Sequence, residues 1–306
     1  MLKVVMVVII IIIFKATVLT SSDFADYNDN DLEDEEEDFH MLITGGYRPT
    51  KNTMAKYLVS IRTSRPTAYF GDNHYCVGSL IASNLVLTAA HCVVEYVSNR
   101  IVTRSRRIIV VAGTPNRLRE NPKTVELEVE AVIPHNKFIR SSGNDIAILR
   151  LKQSVPNDND AIKIIPLAHR KPAVGTNCTV VGWGQLLPDG PFSAEAVYVD
   201  LTITSDKQCQ DAYSSSYSKG MICANGKEKL FQGPCRGDSG APLICRGRVC
   251  GIVSWGVRCS KLGFPTAFTD VAYHYQWIQK VNGVILINYI SYTLLLVCFF
   301  INRIVL

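Results

Sequence analysis

The residues best suited to chemistry lie in Gly237-Asp238-Ser239-Gly240-Ala241-Pro242, a single serine framed by glycines and preceded by an acid. A serine hydroxyl is a weak nucleophile at neutral pH and needs a base to take its proton. Small neighbours let the backbone come close enough to aim N–H groups at a developing oxyanion. Alone, the stretch is also what a tight turn prefers, so the chain must supply a base and an orienting acid. Leu87-Thr88-Ala89-Ala90-His91-Cys92 offers the base, a histidine placed just after an apolar run. Gly143-Asn144-Asp145-Ile146-Ala147-Ile148-Leu149 offers the acid, an aspartate at the mouth of an apolar strand, where burial lets it hold an imidazole in one tautomer. Read singly, His91 is a core histidine, Asp145 a turn acid and Ser239 a loop serine. Together, in the order His, Asp, Ser, they point to nucleophilic acyl transfer.

With these three segments, Val180-Val181-Gly182-Trp183-Gly184 and Ser254-Trp255-Gly256, residues 43–282 closely resemble the chymotrypsin/trypsin family of serine endopeptidases. The resemblance implies an all-β fold of two packed six-stranded antiparallel β-barrels with a C-terminal helix and the reacting groups in the cleft. It implies His91 as general base, Asp145 as its orienting carboxylate, Ser239 as nucleophile, and the N–H groups of Gly237 and Ser239 as the oxyanion hole. Ser254 is expected to hydrogen-bond Asp145. The implied disulfides are Cys76–Cys92, Cys178–Cys245, Cys209–Cys223 and Cys235–Cys259. Cys250 and Cys298 remain, with a free thiol, an intermolecular bridge or acylation of Cys298 all open. No cofactor and no metal is implied, and no residue cluster has zinc-ligand spacing. The expected partners are a protein or peptide substrate, an activating protease and serpin-type or other protease inhibitors, with no nucleic acid and a monomeric chain.

The same resemblance places substrate recognition. Six residues before Ser239, Gly233 matches the pocket floor, where trypsin-like members carry an aspartate, so a strong preference for basic residues is not expected. Pro234 stiffens the base, Trp255, Gly256 and Thr266 line the walls, and Arg236 stands at the rim. Thr266 narrows a pocket that two glycines would leave open. A small-to-medium apolar residue on the acyl side of the cut is expected, with an acidic neighbour tolerated. Ala241, where a glycine is usual, adds one methyl beside the nucleophile.

Stepping outward, residues 1–22 read as a secretory signal: Lys3, an apolar run over 4–14, then small residues. The run is short against the ~20 residues of a membrane span, with an uncleaved anchor as the alternative. Residues 23–42 form an acidic propeptide with ten Asp and Glu and no Lys or Arg between 23 and 38. Leu42-Ile43-Thr44-Gly45-Gly46 resembles the family's activation junction, where cleavage frees an amine that pairs with the acid before the nucleophile, here Asp238. Leu42 departs from the Arg or Lys that a trypsin-like activator would cut after. The whole chain carries +5, yet ten of its 27 acids and only two of its 32 Lys and Arg precede Ile43, leaving 30 against 17, a net +13. That balance favours anionic substrates or surfaces, with a plainly solvated basic face as the ordinary alternative.

Between Ile43 and Asp270 the chain reads as short apolar strands broken by turn residues, with Lys56-Tyr57-Leu58-Val59-Ser60-Ile61, Ile108-Ile109-Val110-Val111-Ala112 and the strictly alternating Val125-Glu126-Leu127-Glu128-Val129-Glu130 as examples. Residues 270–282 read as an amphipathic closing helix with Asp270 near its N-cap. Residues 283–306 form a hydrophobic tail in which 284–301 is broken only by Asn288, Ser291, Thr293 and two tyrosines. It is long enough for a membrane span, with a cleaved anchor signal or a packed tail as alternatives. A secreted protein is expected, or one tethered to the cell surface by this tail. The sequon Asn177-Cys178-Thr179 has a cysteine expected to be bridged at its centre. Two functional classes remain, an active endopeptidase and a catalytically silent, protease-shaped binding protein. The intact His91, Asp145 and Ser239 favour the first.

Overall fold

The computed structural model of the protein describes residues 45–97, 100–103, 108–226, 232–257, 259 and 264–283. The leader, the acidic segment, Leu42, Ile43, Cys298 and the tail beyond Gly283 lie outside the described residues. Strands β1 (Leu58–Thr63), β2 (His74–Ala82), β3 (Leu85–Thr88), β6 (Ile108–Ala112), β7 (Val125–Pro134) and β8 (Ala147–Leu151) close into one barrel, in the order β1-β2-β3-β8-β7-β6. Strands β9 (Asn177–Gly182), β10 (Val197–Ile203), β11 (Met221–Asn225), β12 (Pro242–Cys245), β13 (Arg248–Trp255) and β14 (Thr266–Asp270) close a second, in the order β10-β11-β14-β13-β12-β9. Closure leaves neither barrel an open edge. Both are antiparallel, as the resemblance implied.

The strands form where β-branched and aliphatic residues concentrate, and the pattern in β7 shows why. Leu127 is buried and Glu126 and Glu130 are exposed, so the strict alternation puts one face on the barrel interior. One buried cluster runs through both barrels, from Val59, Leu80 and Ile148 in the first to Val180, Leu243, Ile252 and Phe268 in the second. Each fully buried aliphatic or aromatic side chain contributes about 1.5–3 kcal/mol by leaving water. Four disulfides link Cys76–Cys92, Cys178–Cys245, Cys209–Cys223 and Cys235–Cys259. Cys178–Cys245 closes a sequence separation of 67, for which chain entropy alone gives about 4 kcal/mol. Cys250 is free and buried, and burial pushes its thiol up to about 11, so it stays protonated at neutral pH.

Three local expectations shift. Residues Met54–Tyr57 form a 3-10 turn, and the strand read from Lys56 begins at Leu58, whose N–H closes that turn on the Ala55 carbonyl. The closing helix is present but covers 275–283. Asp270 instead ends β14, and its carboxylate accepts from the Ala272 and Tyr273 N–H groups of the intervening turn. A two-stranded hairpin after His91, β4 (Val94–Val97) with β5 (Arg100–Thr103), has no counterpart in the sequence reading.

The barrels meet at the backbone of Ser239. Val77 N–H of β2 donates to the Ser239 carbonyl at 2.8 Å. Gly240 has φ +81°, and a Cβ there would stand 2.2 Å from Thr88 Oγ1 and 2.3 Å from the Val77 carbonyl oxygen. Only glycine accepts both the conformation and the contact. Ala241, next along, is fully buried and simply joins the core. Gly240→Ala is expected to lower unfolding stability by at least about 2 kcal/mol, combining left-handed backbone strain with a backbone clash. An unchanged urea midpoint would refute that account of the seam.

Candidate active site

His91 sits in a 3-10 turn, Ala90–Cys92, that follows β3, and the Cys76–Cys92 bridge ties that turn back to β2. Asp145 comes two residues before β8 and Ser239 three residues before β12. All three therefore sit on loops held by strands of rigid barrels. The Asp145 carboxylate accepts from His91 Nδ1 at 2.7 Å and from the His91 backbone N–H at 2.9 Å. Ser254 Oγ, near the end of β13, donates to the same carboxylate at 2.5 Å, and Thr269 Oγ1 of β14 donates to the Asp145 backbone carbonyl at 2.7 Å. Because Nδ1 donates to the carboxylate, neutral His91 presents an unprotonated Nε2, as a general base requires. Cys92 Sγ lies 3.9 Å from that Nε2 and 3.6 Å from the Ser239 carbonyl oxygen, so base and nucleophile flank one sulfur.

Asp145 is 2% exposed. Burial works to raise its pKa, but the His91 imidazole and the donated hydrogen bonds outweigh it and hold the carboxyl below its ordinary value. Asp238 behaves in the opposite sense. It is fully buried, and among the described residues it accepts from Gly184 N–H at 2.7 Å and Cys235 N–H at 3.0 Å, while burial pushes it up to about 6. Among the described residues no cation stands against it. Gly182 and Gly184 make the space: a Cβ at either would lie 2.1 or 2.2 Å from an Asp238 carboxylate oxygen. Gly237 has φ +93°, and a Cβ there would strike the Phe192 ring at 2.5 Å.

Of the residues matched to the substrate pocket, Gly256 and Thr266 come together across the ends of β13 and β14. Gly233 and Pro234 are buried, and Arg236 is exposed with its guanidinium 4.0 Å from Asp189. Trp255 ends β13 with Gly256 just beyond it, and Thr266 begins β14 opposite. A Cβ on Gly256 would lie 3.9 Å from Thr266 Cα and 4.0 Å from its Oγ1, so the threonine faces the gap between the strands. Tyr213, from the helix Asp206–Tyr213, backs this wall edge-on to Trp255 at 4.4 Å and donates its hydroxyl to the Pro265 carbonyl. Gln232, beside the floor, donates to the Gly45 carbonyl at 2.9 Å and so anchors the first described residue on the pocket base. Cys76, His91 and Cys92 form a cluster of metal-ligand types, but the two sulfurs are bonded to each other and no thiolate is left for an ion. Residues the sequence reading passed over are Thr269, His74, Arg62 and Arg117. Their types carry no local signal, since each is defined by contacts far along the chain.

A serine, a histidine and a buried carboxylate at the seam of two β-barrels define the class of serine hydrolase. The Trypsin family model matches residues 43–278. Trypsin eta of Drosophila melanogaster is 34% identical over 241 residues, covering 78% of this chain and 87% of that protein. Trypsin II-P29 of Gallus gallus is 34% identical over 244 residues, covering 78% and 88%. Among solved structures, neuropsin, a serine protease expressed in the limbic system of mouse brain, aligns with a TM-score of 0.65 at 28% identity, covering 77% of this chain and 98% of its own. The chain belongs to the trypsin family and is a serine endopeptidase.

Gly184→Ala is expected to force the Asp238 carboxylate from its pocket and lower kcat/KM by at least about 10²-fold, the scale of losing an oxyanion donor. Progress curves on a chromogenic ester measure it. An active alanine variant would show that Asp238 does not organise the site.

Proposed function

We propose that this endopeptidase is made as a secreted zymogen and cuts after small-to-medium apolar residues. In this reading His91 takes the Ser239 proton as the hydroxyl attacks the scissile carbonyl, then returns it to the leaving amine. Asp145 stays ionised and stabilises the imidazolium, while Gly237 and Ser239 N–H groups hold the oxyanion at roughly 3 kcal/mol per donor. The observation that carries the reading is the bond from His91 Nδ1 to a carboxylate held below its ordinary pKa.

Activation follows from the other aspartate. A carboxyl pushed up to about 6 in a dry site is an unpaired charge waiting for a cation, and a new Ile43 amine would supply one. Gly45, two residues on, is already anchored beside the pocket floor by Gln232. The acidic segment 23–42 would leave with the cut, exposing a domain of net +13 to anionic substrates or surfaces. Leu42 calls for an activator that accepts large apolar residues. The tail from Gly283 would tether the monomeric enzyme at the cell surface, and serpin-type inhibitors would address the same cleft. Among the described residues no helix is long and apolar enough to cross a membrane.

The test is labelling by a fluorophosphonate probe of the full chain carrying a cleavable site just before Ile43. Labelling after cleavage only, and none in Ser239→Ala, is the expected outcome. Verified cleavage without labelling would leave a silent, protease-shaped binding protein. Specificity has its own test in a peptide library. Thr266→Gly is expected to raise kcat/KM for Phe over Ala at the acyl position by about tenfold, the scale of a few methylenes of pocket space. No change in that ratio would remove Thr266 from the pocket wall.

A further inference from the structure

Two buried arginines lie beside the site and are not used by the mechanism above. Arg62 of β1 is 1% exposed and Arg117 is 7% exposed. Neither is held by a direct carboxylate bond among the described contacts. Arg62 donates through Nε to Ser60 Oγ at 2.9 Å and through a terminal nitrogen to the Arg117 carbonyl at 2.8 Å, with its guanidinium over the Phe70 ring. Arg117 donates to the carbonyls of Gly71 and Ser193, both at 2.7 Å, and to that of Phe192. Burying charge without pairing is costly, so such an arrangement calls for a reason.

The reason lies one hydrogen bond further on. Ser60 Oγ already accepts from Arg62, so its own hydrogen is free to donate to His74 Nδ1, 2.8 Å away. His74 must then carry its proton on Nε2, which faces the Gly237 carbonyl oxygen at 3.1 Å. The other neutral tautomer would set an unprotonated Nε2 against that oxygen. Around the ring stand Arg62 and Arg117, with Glu126, Asp72 and Tyr69 facing the arginines, and the apolar edges of Trp183 and Phe192. Burial first, and the Arg117 charge next, drive His74 down to about 3, so the ring stays neutral.

Gly237 is the pivot these bonds restrain. Its N–H shares a peptide plane with the Arg236 carbonyl, which accepts from Gln185 N–H at 2.8 Å. The next peptide plane carries the Gly237 carbonyl that His74 holds. Phe192, pinned by Arg117, covers the open face where a side chain would stand. We infer that Arg62 and Arg117 are positioning residues for the oxyanion hole, acting through Ser60 and His74 on the Gly237 peptide. The inference rests on Ser239 being the nucleophile with Gly237 N–H aimed at the oxyanion.

The experiment uses the activated full chain, with active sites counted by fluorophosphonate titration so that misfolded protein is excluded. Ser60→Ala, Arg62→Leu and Arg117→Leu are each expected to lower kcat about tenfold with KM within about twofold, a fraction of the 10²–10³ lost when an oxyanion donor is removed outright. Affinity for a peptide boronate, whose tetrahedral adduct fills the oxyanion hole, should fall by the same factor, and affinity for the unreactive product peptide should not. Ser60→Thr, which keeps the hydroxyl, should recover most of the loss. Nitrogen-15 shifts of His74 should report the Nε2–H tautomer in the unmodified chain. Should the arginine variants fail to fold, Ser60→Ala and the tautomer decide the matter. Unchanged kcat and boronate affinity in Ser60→Ala, or an Nδ1–H tautomer, overturn the inference while leaving a labelled enzyme intact. An unmodified chain that never labels overturns it together with the reading beneath it.

Discussion

A single ionised carboxylate in a dry seam is the constraint on which the rest of this molecule depends. Asp145 enters from the first barrel, just ahead of β8, and is nearly devoid of solvent contact. A charge there costs several kcal/mol to desolvate. It is stabilised by donors from both sides, two from His91 in the first barrel and one from Ser254 in the second, while Thr269 secures its backbone. The donors can converge only if the barrels are docked in one register. The Val77 bond to Ser239 and the glycine contact at Gly240 fix that register from the other side. Holding the barrels together and orienting the base are thus one arrangement.

The second buried aspartate shows what the same seam does to a carboxylate with fewer partners. Asp145 and Asp238 are both desolvated, yet one is pulled below its ordinary value and the other pushed up to about 6. The difference is the imidazole first and the Ser254 hydroxyl next beside Asp145, since both aspartates accept backbone N–H groups. A carboxyl whose pKa burial has raised towards neutrality is stabilised in its charged form by an arriving cation, whose attraction offsets the desolvation cost. The proposed activation by a new Ile43 amine would draw on that response. The Gly182 and Gly184 contacts explain why the loop opposite Asp238 is written with glycines.

What could be read from the sequence divides along range of interaction. The segments around His91, Asp145 and Ser239 were legible because loop chemistry needs particular residue types within a few positions. The barrels were legible because β6 and β7 carry strand composition and alternation in their own residues. Arg62 was not legible. In β1 the pattern is buried at five consecutive positions, since one face fills the barrel and the other is covered by loops, so a charged residue there looks like an exposed one. Arg117 and His74 were hidden for the same reason: their partners are carbonyls of Gly71, Ser193 and Gly237, contacts made far along the chain. The closing helix was displaced because the Asp270 carboxylate caps a turn before it, and a cap residue alone does not say how many turn residues follow.

The proposed pocket sets how this enzyme would obtain selectivity. With Gly233 at its floor, no charge would stand there, and recognition of the residue before the cut would rest on burying apolar surface at about 25 cal/mol per Å². Discrimination by an apolar pocket is shallow, about 10–200-fold per methylene at best. A pocket that pairs a buried charge gains far more, because the wrong substrate leaves that charge unpaired. On the proposed pocket, strong selectivity would therefore be distributed along the cleft. Arg236 lies three residues before Ser239, is well exposed, and makes a contact with Asp189 that is long and solvent-screened. A substrate carboxylate can displace that contact at little cost. The net +13 outside the acidic segment acts in the same direction over longer range, favouring encounter with anionic substrates in a way that fades as salt rises. In the proposed pocket, an apolar residue with an acidic residue near it would be the combination in which burial and charge act together.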